Sequence, residues 1–107
     1  RSSNMSYDVY IGKHSHNYTS NMSGLFNEII HDEDKEFNEG LHVLHGLNGC
    51  QALPILKEAL QQAHYHDHIE EFDPTNGWGT AHGGLMFLAR IAIDCAMNPY
   101  ETVKVHY

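Results

Sequence analysis

The sequence predicts an α+β fold: a single small domain with N- and C-terminal strands pairing in a small sheet packed by three to four helices, the last long helix central. Three observations predict it. The chain has 107 residues, 41% of them hydrophobic, enough for one modest core and too few for two. Apolar and polar residues alternate near both ends. Between those segments the apolar residues recur at helical spacing. Residues 1–6 read as a flexible start and 7–107 as the domain, with Arg1–Asn4 taken as residues added ahead of a native Met5.

Tyr7–Gly12 (YDVYIG) alternates and ends at Gly, the signature of a half-buried strand. Lys13–Tyr18 is polar and reads as a loop, with Thr19 or Ser20 as N-cap of the helix that follows. Met22, Leu25, Phe26, Ile29 and Ile30 form the apolar face of that helix. After the acidic run Asp32–Glu36, the residues Phe37, Leu41, Leu44 and Leu47 predict a short helix or helical turn over about 35–45, with a strand through LHVL as the alternative. Gly46–Gly49 is a turn. Leu53, Leu56, Leu60 and Ala63 then define an amphipathic helix whose first turn should contain Pro54, where a missing N–H costs nothing. Phe72–Gly77 is rich in turn formers. Thr80 caps a long helix over Ala81–Ala96, apolar nearly all round except a strip through Gly83, Arg90, Asp94 and Asn98. Asn98-Pro99 stops it, and Glu101–His106 alternates as the second strand.

Charge narrows the function classes. Six basic against fourteen acidic residues give a net charge of −8, which disfavours direct nucleic-acid binding, since phosphate recognition needs clustered Lys and Arg. It suits occupation of a basic groove on another protein. No apolar run approaches the about 20 residues of a membrane span, and no basic leader precedes a hydrophobic stretch, so a cytoplasmic location is expected. Cys50 and Cys95 fall within apolar helical patterns and read as buried thiols rather than a required disulfide. No cofactor motif is present, and a homo-oligomer is left open.

Two segments share a design. Asn17-Tyr18-Thr19-Ser20-Asn21 and Asn76-Gly77-Trp78-Gly79-Thr80 each set an aromatic among small polar residues just before a helix. Helix starts carry free N–H groups and partial positive charge, and such a loop offers a ring for stacking beside donors for an anion. The predicted ligand-binding residues are therefore His16, Asn17, Tyr18, Thr19, Asn21, Asn76, Trp78 and Thr80. The competing account makes Asn and Thr caps and Trp78 a core plug.

The chain has ten histidines. His14-x-His16, His42-x-x-His45 and His64-x-His66-x-His68 resemble ligand spacings, but no HExxH or CxxC motif accompanies them and they read as solvated or capping groups, with no metal site expected. No nucleophile elbow or phosphate-cradling glycine loop occurs. His16 and His82 are the candidate general bases of a small hydrolase, the third-ranked reading.

The initial SYDVYIG strand, NYTSN, PTNGWG and the closing NP..TVKV strand together resemble a family of small tailed-phage proteins, from Met5 almost to the end of the chain. The resemblance implies origin and architecture more than mechanism. Small phage proteins of this kind act on host pathways, so the expected function is sequestration of a small anionic, nucleotide-like metabolite, countering host defence signalling without catalysis. The alternative is an acidic interaction module that blocks a host protein through the Asp32–Glu39 surface.

Overall fold

The computed structural model describes residues 6–32 and 40–106. Strand β1 (Ser6–Ile11) turns into β2 (His14–Thr19). A 3-10 turn at Ser20–Met22 leads into helix α1 (Ser23–Ile29), and a second at Gly40–Leu44 precedes α2 (Gly49–Tyr65). A third at Ile69–Phe72 precedes α3 (Ala81–Met97), and β3 (Val103–His106) closes the fold. The strands form one antiparallel sheet in the order β2-β1-β3. The terminal strands pair as the alternation predicts, with Val9 opposite Val105 and Ile11 opposite Val103.

Lys13–Tyr18 departs from expectation, because all but Lys13 belong to β2. Only Gly12 and Lys13 lie between β1 and β2, and Gly12 takes φ 59° while Lys13 does not turn positive. That is the II′ pattern whose twist suits a two-residue hairpin. The strand escaped the apolar-alternation test because it lies at the sheet edge, where its inward residues are His16 and Tyr18 rather than aliphatics.

One sheet face and the helices enclose the core. Tyr7, Val9, Ile11, Val103 and Val105 meet Met22, Phe26, Leu56, Phe87, Leu88 and Ile91, all buried. Phe26 lies between Tyr7 and Phe87, with ring centroids 5.6 and 5.9 Å away. Each fully buried aliphatic or aromatic side chain contributes about 1.5–3 kcal/mol. Asn48 and Gln51 cap α2 reciprocally, each side chain accepting from the other's backbone N–H at 2.8 and 2.9 Å. The next N–H groups, of Gly49 and Cys50, donate to the carbonyls of Glu101 and Pro99 at 2.9 Å, tying the start of α2 to the segment after α3.

Two further expectations are corrected. Pro54 is the sixth residue of α2, counted from Gly49, and so lies in its second turn. There its missing N–H leaves the Cys50 carbonyl without its i+4 partner. Cys50 is exposed, and only Cys95 is a buried thiol; the helix phase turns Ala52, Leu56, Ala59 and Ala63 inward instead. Residues 40–44 form a 3-10 turn that buries Leu41, Val43 and Leu44, the helical-turn form of the predicted element and not the alternative strand. Residues 35–39 of that element lie outside the described residues.

Helix α3 packs on α2, on β2 and β1, and on the Ile69–Phe72 turn, as its apolar character predicts. It nevertheless keeps one stripe in solvent, through His82, Met86, Arg90, Ile93 and Met97. At 100° per residue these five positions fall within about 80° of one another around the helix.

Candidate functional site

The two aromatic loops meet. Thr80 N–H donates to Tyr18 Oη at 2.9 Å, and that hydroxyl donates to the Thr80 carbonyl at 3.2 Å. The Asn21 side-chain amide reaches Asn76 Oδ1 at 3.4 Å and the Trp78 carbonyl at 3.3 Å. Asn76 Oδ1 also accepts from Trp78 N–H at 2.9 Å, an Asx turn that shapes its own loop. Gly79, at φ 87°, allows the approach, since a Cβ there would sit 2.5 Å from Thr19 Cγ2. The Tyr18 ring lies over Phe87 of α3, centroids 5.7 Å apart at 25°. The seam therefore runs from buried aromatic packing outward to polar bonds at the rim.

Most of the predicted donors are committed within this seam. Thr19 Oγ1 accepts from Asn21 N–H at 3.3 Å and Thr80 Oγ1 from Gly83 N–H at 2.9 Å, each capping the turn or helix it opens. The sequence reading missed Asp73, whose Oδ1 accepts from Ala81 N–H at 2.6 Å. A carboxylate of the protein thus occupies the positive end of α3. The signal for it was an Asp eight residues ahead of the helix, too distant for a capping box.

Asn17 does not join the seam. It lies on the far sheet face, where its amide donates to Asp8 Oδ1 at 2.9 Å and to the Tyr7 carbonyl at 3.1 Å. His16 faces the helices, and its Nε2 meets Asp94 Oδ2 at 2.5 Å. A carboxylate holding an imidazole is how a general base is oriented. Neither residue bonds to a hydroxyl or thiol among the described residues, so the pair joins β2 to α3 without a nucleophile beside it. Burial, and then the neighbouring Asp94 charge, push the Cys95 thiol from 9.0 up to about 11, a direction that makes it less nucleophilic.

Trp78 is 68% exposed, so its ring is not a core plug: the backbone is pinned from both sides while the indole projects into solvent. Sequence reading missed the stripe beyond it, because Met86 and Ile93 fell within a helix read as touched on most sides, and Met97 and Tyr100, beyond its predicted end, were not assigned. At 56, 59, 74 and 89% exposure, Met86, Ile93, Met97 and Tyr100 all face solvent. Among the described residues, open cavities lie beside Tyr10, Tyr100, Glu101 and Lys104, at about 580 Å³, and beside Leu60, His64 and Tyr65, at about 470 Å³. Of the histidine groups, His45 Nδ1 accepts from Val105 N–H at 2.9 Å and His66 Nδ1 from His68 N–H at 3.2 Å, both backbone-capping roles.

Compared with known protein-family models, curated proteins and solved structures, the chain matches none. The class it defines rests on its own geometry: a three-stranded antiparallel sheet covered on one face by helices, with two interlocked loops at one rim.

Proposed function

We propose that this is a non-enzymatic binding protein that engages a protein partner through the outer stripe of α3 and the Trp78 loop at its start. One observation carries the reading. Five of the seven large hydrophobic side chains exposed among the described residues, Trp78, Met86, Ile93, Met97 and Tyr100, lie on one helix and its two flanks. From Met86 to Met97 the stripe runs about 16 Å. Exposed apolar side chains grouped in this way mark contact surfaces, and Trp is the commonest anchor in them. The net charge of −8 favours a partner with a basic rim, reached faster at low salt. The resemblance to small tailed-phage proteins points to a host-cell factor as that partner, met in the host cytoplasm. The acidic surface first considered for this role lies, apart from Asp32, outside the described residues.

The test is affinity capture from a bacterial lysate with the wild-type chain and with Ile93→Glu. The substitution adds charge at an exposed position and leaves the core intact. Partners held by the wild type and lost by Ile93→Glu support the reading; identical capture by both refutes it.

A second reading, sequestration of a nucleotide-like metabolite, is favoured by the junction of the two loops beneath an exposed indole. Stacking on Trp78 would supply the affinity, and an anionic group would need donors beyond those already bonded to Thr19, Asp73 and Thr80. Thermal shifts across a panel of nucleotides and cyclic dinucleotides test it, because a ligand that binds only the folded chain raises the melting temperature. No shift with any member rejects it.

A further inference from the structure

The two edges of the sheet are treated differently. In a two-residue hairpin the closing residues exchange hydrogen bonds, so Ile11 and His14 face each other's backbone, as do Val9 with His16 and Tyr7 with Tyr18. The other residues of β1, Tyr10 and Asp8, then bond to β3 at Lys104 and His106. That leaves Val103 and Val105 pointing outward from β3. Three of their four outward backbone groups have partners: Val103 N–H donates to the Leu47 carbonyl at 2.7 Å, its carbonyl accepts from Gly46 N–H at 2.8 Å, and Val105 N–H donates to His45 Nδ1 at 2.9 Å. The β3 edge is mostly occupied.

The same parity turns the N–H and C=O groups of Ser15 and Asn17, and the N–H of Thr19, outward from β2. No backbone partner meets them among the described residues. Protective devices are missing as well. His14–Thr19 contains no Pro, Lys or acidic residue, and its register against β1 runs residue for residue without a bulge. Such an edge is a template for a further strand.

We propose that β2 pairs antiparallel with the β2 of a second copy, about a two-fold axis at Asn17, to give a continuous six-stranded sheet. The parity fits this register. An axis at Asn17 sets Asn17 opposite Asn17 and Ser15 opposite Thr19, so the two Asn17 residues exchange N–H and C=O bonds and each Thr19 N–H meets the other copy's Ser15 carbonyl. Charge selects the place. A chain of net charge −8 repels its own copy, and β2 is a six-residue stretch without an acid among fourteen acidic residues in the chain. It therefore brings the two backbones together without like charges directly opposed. The contact is isologous and closes at two subunits.

Two measurements test the dimer. Sedimentation across micromolar to millimolar concentration should show twice the 12.2 kDa chain mass, and amide exchange at Asn17 and Thr19 should slow as concentration rises. Asn17→Pro deletes the outward N–H at the axis while sparing the ladder to β1, and should give a folded monomer. A wild-type chain that stays monomeric throughout overturns the proposal. So does a dimer in which the Asn17 and Thr19 amides exchange at the rate of free peptide, or a folded Asn17→Pro chain that still dimerises. Should Asn17→Pro fail to fold, the wild-type exchange data decide alone. Protection that appears only when a different protein is added assigns the edge to that protein's strand and also overturns pairing between copies.

Discussion

Gly83→Ala should destabilise this protein, although Gly to Ala within a helix ordinarily stabilises by up to about 1 kcal/mol. Gly83 lies in the first turn of α3, directly beneath Tyr18. A Cβ there would overlap the Tyr18 hydroxyl and come within 2.8 Å of its Cζ. The ring cannot swing away freely. It packs on Phe87, and its hydroxyl bonds to both the N–H and the carbonyl of Thr80. Making room costs two hydrogen bonds of about 0.5–1.5 kcal/mol each and an overpacking strain of about 1–3 kcal/mol. Set against the helix gain, a net loss of about 1–5 kcal/mol follows, a fall in melting temperature of about 5–20 °C for a domain of this size. Urea denaturation followed by Trp78 fluorescence and circular dichroism measures it. Tyr18→Phe provides the control: with the hydroxyl gone, Gly83→Ala should cost at least about 1 kcal/mol less, a coupling visible in a double-mutant cycle. A Gly83→Ala protein as stable as wild type, or additive costs in the cycle, would refute the account of how the two loops are joined.

Trp78→Ala should shift stability by no more than about 0.5 kcal/mol, because the ring is mostly in solvent, while removing partner or ligand binding; a large loss of stability would mean that the indole is part of the core. Asp94→Asn should cost about 1–2 kcal/mol, the worth of a charged hydrogen bond to His16 across β2 and α3, read by chemical denaturation. In native buffer a thiol reagent should modify Cys50 alone, and Cys95 only on unfolding. The raised Cys95 pKa means that the folded state holds its proton longer than the unfolded state does. Its contribution to stability is therefore complete below pH 9 and is lost as pH rises from 9 toward about 11; Cys95→Ala should flatten that part of the stability profile.

The elements written in apolar periodicity were legible, and the ones that depend on long-range partners were not. Tyr7–Gly12 and Glu101–His106 alternate because one face of each is buried, so their pairing could be read directly. β2 carries no such record: its inward positions are occupied by His16 and Tyr18, whose partners Asp94 and Thr80 lie 78 and 62 residues away. The two polar-aromatic loops stood out by composition and do meet, but what their side chains do there depends on Asp73 and on each other, which no local pattern encodes. Asn17 was misplaced for the same reason as β2, since reading the segment as a loop hid the strand alternation that sends residue 17 to the face opposite residues 16 and 18. The α3 stripe was misread because apolar residues on a helix normally indicate burial. Composition carries no mark that distinguishes a Met facing a core from a Met facing solvent.

The placement of β1 in the middle of the sheet sets an order of events for a chain made from its N-terminus. Its pairing with β2 closes across only Gly12 and Lys13, and a loop that short closes fast. Its other edge must wait for Val103–His106, so Ile11 and Val103 meet only after a loop of roughly ninety residues has been gathered in. Until then β1 presents a half-finished sheet whose open side carries the backbone groups of Asp8 and Tyr10. The nascent chain thus stays open to mispairing at β1 until Val103–His106 has emerged, and that four-residue strand acts as the latch that ends the interval.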